Sequence, residues 1–344
     1  MAQLPVTADP LIAALKRRAI DVVGSVIPPG RPVALLDFPR HFNVGDSAIW
    51  LGEMRCLAAY GVRPRDIRYV CDLNTYDETA LRRAIGDEGV ILSHGGGNFG
   101  DLWESHQHFR ESVVAAFPGN AIVILPQTVH FKERTALERT VRVFDKHENV
   151  TILVRDQPSL DAVQNNFRAA AHLCPDLAIW LGALPRPVLA DRPVVYLARK
   201  DQESRLTHEN QGYGTAEPSD WPRLNAERQW RFGDSISRFG VDHPRLARGL
   251  PESLVTAARR FGYQEMGRER LRAGCELLAH GRVVITDRLH AHILSLLMGI
   301  PSVVLDNSYG KVRGFLEAWT LSSPLTHFAQ TPEEAFATAA GLNA

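Results

Sequence analysis

The sequence predicts an α/β fold in which two Rossmann-like domains face each other across a cleft. Short apolar strands alternate with helical segments, and the pattern restarts after the proline-rich stretch Leu184-Pro185-Arg186-Pro187. Such alternation with short connections is typical of right-handed βαβ units around a parallel sheet. The length of 344 residues suits two domains of roughly 150 residues each better than one core. We therefore expect an N-terminal domain over residues 1–184, a C-terminal domain over 188–330 and a final helix over 331–344.

The predicted elements of the first half end at proline, glycine or polar residues. Helical spacing over residues 11–27 stops before Pro28-Pro29-Gly30, which is a strong stop signal. Five apolar runs of strand length follow, over residues 32–37, 68–71, 90–93, 121–125 and 151–154. Helices are expected between these strands, two of them over residues 47–60 and 79–85.

The second half repeats the pattern with fewer elements. We predict a helix over 268–278 and three strands, over 194–198, 283–285 and 302–305, of which the third is the last strand of the chain. Between Lys200 and Pro251 the chain is polar and irregular, and it contains three aromatic residues, Tyr213, Trp221 and Trp230. A loop of this length in an enzyme-like domain is usually a functional lid or a disordered insertion. Its tryptophans stack on a sugar ring or anchor the loop, and the sequence leaves both interpretations open.

Composition excludes several classes of protein. The chain has 39 basic and 39 acidic residues, so composition gives no basic face for nucleic acid or anionic lipid. Four widely spaced cysteines without a Cys-x-x-Cys pair argue against a disulfide framework and a zinc site, and favour the cytoplasm. Charged residues interrupt the first 30 residues, which match neither a signal peptide nor a membrane span. We therefore expect at most a peripheral association with a membrane.

The stretch Asp287-Arg288-Leu289-His290 follows a buried strand and precedes an apolar run over residues 293–298. It places an arginine and a histidine where the carboxyl end of a strand meets the amino end of a helix. Ligands bind there in open α/β sheets, because backbone N–H groups and the helix dipole favour an anion. A structural interpretation stays open, in which Asp287 caps the helix, Arg288 pairs with a surface carboxylate and His290 is a satisfied core histidine.

Two glycine-containing segments also follow predicted strands. In Asn43-Val44-Gly45-Asp46 the glycine permits close backbone approach, Asn43 offers amide hydrogen bonds and Asp46 can cap the next helix. A plain strand-to-helix turn also accounts for this segment. Gly95-Gly96-Gly97-Asn98 exposes backbone N–H groups of the kind that cradle phosphate or carboxylate. It lacks the spacing of a dinucleotide site and the Lys-Ser/Thr of a P-loop, which disfavours nicotinamide cofactors and nucleoside triphosphates.

Three arginines occupy equivalent positions at the carboxyl ends of predicted strands: Arg155, Arg199 and Arg288. A guanidinium binds carboxylate or phosphate as a bidentate fork and stays charged at any working pH, so the three favour a cleft for a small polyanion. Lys311 follows the last predicted strand and adds another donor, unless it is a solvated loop lysine. The sequence contains no Gly-x-Ser-x-Gly elbow and no His-Glu-x-x-His helix, and we expect no bound metal.

Taken as an ordered set, these segments resemble the polysaccharide pyruvyl transferase family. The set runs from about residue 40 to 315 in the family's order and covers most of the chain. Its members are Asn43-Val-Gly-Asp46, Gly95-Gly-Gly-Asn98, Val154-Arg155-Asp156 with Ser159, Cys174-Pro175-Asp176, Arg288-Leu289-His290, Gly299-Ile300-Pro301 and Lys311. Each piece is weak by itself, whereas the ordered set is fairly specific.

The resemblance implies a glycosyltransferase-B-like pair of Rossmann domains, with phosphoenolpyruvate as the donor substrate and no cofactor. Such enzymes attach pyruvate to a sugar of an exopolysaccharide, cell-wall polymer, glycan or lipid-linked precursor, often as a cyclic ketal across two hydroxyls. The family pattern implies catalytic roles for His290, Arg155 and Lys311. We expect the donor to be held by the remaining strand-end residues, which are Arg288, Arg199, Asn43, Gly45, Asp46, Gly95, Gly96, Gly97 and Asn98.

The residues fit this chemistry, because phosphoenolpyruvate carries both a phosphate and a carboxylate. As a general acid/base, His290 protonates the methylene carbon of the donor or takes the proton of the attacking hydroxyl, and the sequence leaves both open. Two other functions stay open. One is a glycosyltransferase of the same architecture that uses a nucleotide sugar, with Glu265 or Glu276 as a candidate ribose ligand. The other is a sugar- or phosphate-binding module that has lost catalysis.

Overall fold

The computed structural model describes residues 9–199, 201, 203, 218–222, 228–247 and 249–343, which form a mixed α/β fold with two parallel sheets. Within these residues the first sheet has seven strands, β1 to β7, at Val33–Leu36, Ile67–Val70, Val90–Ser93, Gly96–Gly100, Ala121–His130, Val150–Val154 and Ala170–Leu173. Their order is β2-β1-β3-β5-β6-β7, and β4 pairs with the second half of β5. The predicted α/β class with parallel sheets is confirmed.

Six helices cover both faces of the first sheet: α1 to α6, at Pro10–Val26, Val44–Tyr60, Glu78–Ile85, Glu104–Ala116, Arg134–Phe144 and Gln157–Asn166. Side chains alternate between the faces of a strand. Accordingly, Val33 and Leu35 of β1 pack with α1 and α2, whereas Ala34 and Leu36 pack with α3 to α6. Both faces of the sheet are therefore buried, as expected for parallel strands.

The second sheet has four described strands in the order β11-β10-β9-β8. Strands β8 to β11 lie at Arg192–Leu197, Gly281–Thr286, Ser302–Val304 and Thr326–Phe328. The described helices of this half are α7 to α12, at Arg228–Asp242, Pro244–Ala247, Glu252–Ala279, Leu289–Leu297, Lys311–Phe315 and Pro332–Asn343. The strand predicted over 302–305 is not the last one, because β11 follows it.

The region between Lys200 and Pro251 is less irregular than the sequence predicts. Its described part contains α7 and α8, and Trp230 lies on α7, whereas Lys200 and Tyr213 lie outside the described residues. The helix predicted over 268–278 begins sixteen residues earlier, as α9. Gly262 obscures the helical pattern there, and it is needed because a Cβ at this position would overlap the backbone of α7.

Helix α9 connects the two halves of the fold. Near its middle, Tyr263 stacks on Phe38 with ring centroids 4.0 Å apart, and its hydroxyl donates to Asp72 Oδ2 at 3.0 Å. Near its end, Leu278 belongs to a second core cluster that contains residues of α2, α10 and β9. The halves therefore share apolar contacts, and the predicted domain limits at 184 and 188 stay a prediction. Over the described ranges, no helix is long and apolar enough to cross a membrane.

Candidate active site

A cavity of about 450 Å³ lies where the carboxyl ends of strands from both sheets meet. Strand β1 lies between β2 and β3, and the chain therefore leaves β1 and β3 in opposite directions, which opens a crevice at their carboxyl ends. Nine of the twelve predicted site residues line the cavity: Asn43, Asp46, Gly97, Asn98, Arg155, Arg199, Arg288, His290 and Lys311. Gly45, Gly95 and Gly96 do not line it.

Arg155 follows β6 and is fully buried. Its Nε donates to Thr128 Oγ1 at 2.9 Å, and its Nη1 donates to Asp176 Oδ2 at 2.5 Å. Its Nη2 is buried and has no hydrogen-bond partner among the described residues. A buried donor without a partner costs about 1–3 kcal/mol. This atom is therefore the strongest candidate for contact with an anionic ligand.

Asp176 connects this arginine to His290. It follows β7 and caps a 3₁₀ helix at Leu177–Leu181, where its Oδ1 accepts from Ala178 N at 2.8 Å. Its Oδ2 lies 3.2 Å from Nε2 of His290. Burial opposes ionisation of this carboxyl, but His290 and Arg155 outweigh burial and hold the pKa of Asp176 well below its usual range. An ionised carboxylate thus orients both the imidazole and the guanidinium.

His290 and His292 lie two residues apart on α10 and have different surroundings. His292 is fully buried, and its ring nitrogens bond to Ser302 Oγ at 2.8 Å and Thr320 Oγ1 at 2.9 Å. Burial lowers the pKa of His292 to about 3, which keeps its imidazole neutral. His290 lines the cavity instead, and its Nδ1 has no partner in the described part of the chain. The interpretation as a satisfied core histidine fits His292 and does not fit His290.

Lys311 begins α11 and points into the same cavity. Its Nζ donates to Glu203 Oε2 at 2.6 Å, and the same oxygen accepts from the hydroxyl of Tyr309 at 3.1 Å. Burial lowers the pKa of Lys311 to about 8, although Glu203 opposes this shift. Burial raises the pKa of Glu203, but Lys311 and Arg199 outweigh burial and lower it to about 2. Lys311 is a buried cation with a carboxylate partner rather than a solvated loop lysine.

The two arginines of the second sheet are also paired with carboxylates. Arg199 follows β8, and its Nε and Nη2 lie 2.9 Å and 3.0 Å from Asp201 Oδ1 and Glu203 Oε1. Arg288 follows β9, and its Nη2 donates to Asp220 Oδ2 at 2.8 Å. The predicted pairing of Arg288 with a carboxylate is right, but that carboxylate lines the cavity.

Asp287 does not cap α10, in contrast to the structural interpretation of this stretch. Arg288 is the N-cap residue of that helix, without a side-chain capping bond. Asp287 Oδ1 instead accepts from the backbone N–H of Arg199 at 2.8 Å. It therefore ties together the loops that follow β8 and β9.

Gly96 and Gly97 of the glycine run begin β4, a strand that the sequence does not predict. A Cβ on Gly97 would lie 2.8 Å from Lys311 Nζ and 3.2 Å from Arg155 Nη2, so glycine makes room for both cations. The backbone N–H of Gly95 donates to Glu53 Oε1 at 2.8 Å and is not available to a ligand. The Oδ1 of Asn98 accepts from Arg110 and Gln127, at 2.6 Å and 2.9 Å, and these bonds hold its amide at the cavity.

The first glycine segment starts α2 three residues earlier than predicted. Asn43, rather than Asp46, is the N-cap, and its Oδ1 accepts from the backbone N–H of Gly45 at 2.9 Å. Asp46 lies in the first turn of α2 and 3.5 Å from Nε2 of His41. Burial opposes ionisation of Asp46, but His41 and His290 outweigh burial and lower the pKa of its carboxyl. A Cβ on Gly45 would overlap the ring of His290, so this glycine positions the histidine.

Comparison with protein families identifies the chain. The sequence model of the polysaccharide pyruvyl transferase family matches residues 43–309, which include all twelve predicted site residues except Lys311. The chain belongs to the polysaccharide pyruvyl transferase family. The resemblance inferred from the sequence motifs is confirmed.

Two curated relatives match most of the chain. Pyruvyl transferase 1 of Schizosaccharomyces pombe is 35% identical over 84% of this chain and 70% of its own length. The putative pyruvyl transferase EpsO of Bacillus subtilis is 29% identical over 89% of this chain and 90% of its own length. The protein is therefore a pyruvyltransferase of this family, and the family acts on polysaccharides.

A solved structure shows a similar fold. A functionally uncharacterised protein of Klebsiella pneumoniae superposes with a TM-score of 0.60 over 92% of this pyruvyltransferase and 99% of its own chain. At 17% identity the likeness concerns the fold alone.

The rival interpretation of the sequence finds little support at the site of the pyruvyltransferase. Glu265 and Glu276, its candidate ribose ligands, lie on α9 and pair with Arg268 and Arg272. Neither glutamate lines the cavity. Among the described residues, no three His, Cys, Asp or Glu side chains are grouped as metal ligands, and the expectation of no bound metal stays a prediction.

Sequence reasoning missed several residues of this site. Asp176 was recognised only as part of the motif Cys174-Pro175-Asp176, and no role was predicted for it. Asp201, Glu203 and Asp220 were missed because they lie in or beside the irregular region, where no periodicity marks their position. His106 and Asp37 line or support the cavity as well. Asp37 follows β1, so the rule that flagged the strand-end arginines also applied to it, whereas His106 lies on α4 and gave no signal.

Proposed function

We propose that this pyruvyltransferase transfers pyruvate from phosphoenolpyruvate to hydroxyls of a sugar in a polysaccharide, glycan or lipid-linked precursor, forming a pyruvate ketal. The observation that carries the proposal is the pair of cations above Gly97. Nη2 of Arg155 and Nζ of Lys311 both lie within 3.2 Å of the position that a Cβ would take there. A phosphate or carboxylate at this point meets two cationic groups, and the Nη2 donor of Arg155 has no other described partner.

The remaining charges of the cavity support a donor with two anionic groups. Arg199 and Arg288 line the cavity together with Arg155 and Lys311. The first two are paired with carboxylates of the protein itself, so a second anionic group of the donor binds them by taking the place of those carboxylates. We propose that no cofactor is needed beyond the donor.

His290 acts as general acid/base in the proposed reaction. Its Nε2 is bonded to the ionised carboxylate of Asp176, which compensates the positive charge of a protonated ring. Proton exchange with the substrates therefore takes place at Nδ1. Proton transfer by a positioned side chain contributes typically about 10²–10⁴-fold to the rate.

We further propose the architecture and compartment in which this reaction takes place. Two Rossmann-like domains, over residues 1–184 and 188–330, face the cavity in a glycosyltransferase-B-like arrangement, and residues 331–344 follow the second domain. In support, each sheet falls within one of these ranges, and the cavity lies at strand ends of both. The four cysteines are buried free thiols, which suits a reducing cytoplasm.

A binding experiment tests the donor directly. Purified protein is titrated with phosphoenolpyruvate, inorganic phosphate, a UDP-sugar and a GDP-sugar, without added metal, by thermal shift and calorimetry. A ligand present at a hundred times its Kd stabilises the native state by about 2.7 kcal/mol. We expect phosphoenolpyruvate to raise the Tm most and nucleotide sugars to leave it unchanged.

An activity assay then follows phosphate release and ketal formation. The acceptors are p-nitrophenyl glycosides of glucose, galactose, mannose and N-acetylglucosamine, each with phosphoenolpyruvate. Stabilisation by a nucleotide sugar and not by phosphoenolpyruvate would overturn the proposal in favour of a glycosyltransferase. Tight binding of phosphoenolpyruvate without turnover on any acceptor would favour a binding module.

A further inference from the structure

A second histidine–aspartate pair lies at the same cavity as His290. Nδ1 of His106, on α4, lies 2.8 Å and 2.9 Å from the two carboxylate oxygens of Asp37, which follows β1. Asp37 is buried, whereas the side chain of His106 is 14% exposed and lines the cavity. No part of the family resemblance includes either residue.

The pairing determines which nitrogen of His106 is available. A carboxylate can only accept hydrogen bonds, so the proton of the neutral imidazole lies on Nδ1. Nε2 then carries a lone pair, and it has no hydrogen-bond partner among the residues that the structure describes. An aspartate that holds a histidine in this tautomer is the arrangement by which histidine serves as a general base.

Asp37 is held in a costly backbone conformation. With a φ of +71°, it is the one described residue other than glycine with a positive φ. L-residues rarely adopt this conformation, and such strain is concentrated at functional sites, where surrounding structure holds it in place. The next residue is held by a hydrogen bond from Phe38 N to Cys71 O at 2.9 Å. The turn therefore delivers both oxygens of Asp37 to one nitrogen of His106.

We propose that His106 is the base that accepts the proton of the attacking sugar hydroxyl, and that Asp37 is its positioning residue. This inference rests on the proposed pyruvyl transfer and divides its two proton transfers between two histidines. His290 is paired through Nε2 with Asp176, and His106 is paired through Nδ1 with Asp37. The two imidazoles line one cavity from α10 and α4.

The division accounts for every atom of the reaction. As the first hydroxyl oxygen bonds to C2 of phosphoenolpyruvate, its proton passes to Nε2 of His106. The electron pair of the C2–C3 double bond takes a proton from His290, so the methylene becomes a methyl group. The second hydroxyl then bonds to C2 while the C2–O bond to phosphate breaks, and phosphate leaves with that electron pair. The proton of the second hydroxyl passes to the deprotonated His290, and the proton held by His106 leaves with phosphate, so both histidines return to their starting states.

Several charged and titratable groups surround His106, and the test must separate them from it. Asp37 lies at Nδ1, and the ring of His41 is 6.0 Å away, edge to face. His41 in turn pairs with Asp46, and Arg110, further along α4, interacts electrostatically with Asp37. A pH profile of the wild-type rate therefore combines several groups. Only a substitution can assign the fall of kcat/KM at low pH, the acid limb of the profile, to His106.

The test compares His106→Gln with His108→Gln, a change of an exposed histidine two residues along the same helix. Folding is checked first by circular dichroism and Tm. Phosphate release is then measured against pH with phosphoenolpyruvate and the p-nitrophenyl glycoside that the wild type turns over fastest. For His106→Gln we expect kcat to fall by about 10²–10⁴-fold, with unchanged Kd for phosphoenolpyruvate and loss of the acid limb. His108→Gln should match the wild type in all three.

Asp37→Asn provides a second variant that retains the shape of the side chain. Because a neutral amide no longer stabilises the protonated imidazole, we expect the acid limb of kcat/KM to move to lower pH. A purely structural role of Asp37 would lower the Tm without moving that limb. An unmoved limb would therefore remove Asp37 from the proposal.

The outcomes separate this inference from the function on which it rests. A wild type that neither binds phosphoenolpyruvate nor releases phosphate with any glycoside would overturn the proposed function, and this inference with it. An active wild type without an acid limb, or a His106→Gln variant with wild-type kcat, would overturn the inference alone. Equal losses of donor affinity and kcat in His106→Gln would likewise assign His106 to donor binding and contradict its role as a base.

Discussion

The two sides of the cavity hold their cations in different ways. On the side of the first sheet, Arg155 is anchored by Thr128 and Asp176 and keeps one buried N–H group without a described partner. On the side of the second sheet, the cations are Arg199, Arg288 and Lys311, and each of them is paired with a carboxylate. Among the lining residues, four carboxylates, those of Asp46, Asp201, Glu203 and Asp220, thus match four cations.

This difference separates two kinds of binding group. Arg155 offers a donor that is already oriented and already desolvated, so an anion gains the full interaction on arrival. The cations of the second sheet offer an exchange, in which the anion of the ligand replaces a carboxylate of the protein. We therefore expect substitution of Arg155 to cause a large loss of activity. Substitution of a cation of the second sheet should cost less donor affinity, because the cation gives up a carboxylate partner when it binds the donor.

The largest effect is expected for the histidine that joins the two sides. His290→Asn should lower kcat by about 10²–10⁴-fold, because it removes the proposed general acid. Since His290 lines the cavity, the Tm should stay near that of the wild type. Rates of phosphate release with phosphoenolpyruvate and a p-nitrophenyl glycoside measure the first effect, and thermal melts measure the second.

His292→Asn is the matched control for this change. His292 is buried between two hydroxyl groups, so its loss should lower the free energy of unfolding by about 1–3 kcal/mol. The folded fraction should keep its activity. A catalytic loss in His292→Asn equal to that in His290→Asn would contradict the assignment of the acid to one position.

Arg155→Lys should have the next largest effect. The ammonium cannot bond to Thr128 and Asp176 and also present a donor to the ligand, so the oriented N–H is lost. We expect kcat/KM to fall by about 10²–10³-fold, the range for removing one donor aimed at developing charge. Arg186→Lys serves as a control, because Arg186 binds the backbone carbonyl of Ala279 outside the cavity.

The sequence predicted most of the first sheet well and missed one edge strand of each sheet. Strands β1, β3 and β6 are short, mostly apolar runs next to glycine, proline or charged residues, which local patterning identifies. Strand β7, Ala170–Leu173, is a half-exposed edge strand with alanine at two positions, and β11 has three residues. Both are recognised as strands only through pairing with a neighbour, and this pairing is not a local property.

The residues of the site also fall into those that a local pattern predicts and those that it does not. Strand-end cations such as Arg155 and Arg288 were predictable, because parallel topology brings the ends of strands to one edge of the sheet. The pairing of Lys311 with Glu203 spans 108 positions of the chain, and no local pattern marks it. His106 reaches Asp37 from the first turn of α4, a position that depends on how this helix packs. Predicting either contact requires the tertiary structure.

The pH dependence of donor binding tests the second side through Lys311. Its pKa of about 8 lies below the usual value, so the ammonium is lost as pH rises through about 8. An anionic donor binds the charged form, and its Kd should therefore rise by about tenfold per pH unit above that point. Calorimetric titration with phosphoenolpyruvate from pH 6.5 to 9 measures this change in Kd. Lys311→Met should bind phosphoenolpyruvate more weakly at pH 7, and its Kd should not change with pH above that point. If its Kd rises with pH as steeply as that of the wild type, the titrating group is not Lys311.

Arg288→Lys makes the substitution of Arg155→Lys on the opposite side of the cavity. The guanidinium of Arg288 gives up its contact with Asp220 when it binds the donor, so its net contribution is modest. We expect the Kd for phosphoenolpyruvate to rise by about two- to tenfold, which corresponds to a net hydrogen bond of about 0.5–1.5 kcal/mol. An equal rise of the Kd for phosphoenolpyruvate in Arg155→Lys and in Arg288→Lys would contradict the distinction between the two sides of the cavity.

The smallest effect should be a gain. Asp220 competes with the donor for Arg288, and the exposed fraction of its side chain is 25%, so the ion pair is partly screened by solvent. Such pairs contribute about 0.2–1 kcal/mol. Asp220→Asn should therefore tighten binding of phosphoenolpyruvate by about 1.5- to 5-fold in a calorimetric titration at low salt.

The sign of this change distinguishes competition from positioning. If Asp220 only competes with the donor, the gain should shrink as salt is added, because screening weakens the competing pair in the wild type. If Asp220 instead holds Arg288 in the orientation that the donor needs, Asp220→Asn should weaken binding at every salt concentration. Asp191→Asn, which removes an exposed carboxylate paired with His280 outside the cavity, should leave the Kd unchanged. A loss of affinity in Asp220→Asn alone would mean that the carboxylates of the second side hold its cations in the orientation that the donor needs. The two sides of the cavity would then differ in how their cations are oriented, and not in whether the donor displaces a carboxylate.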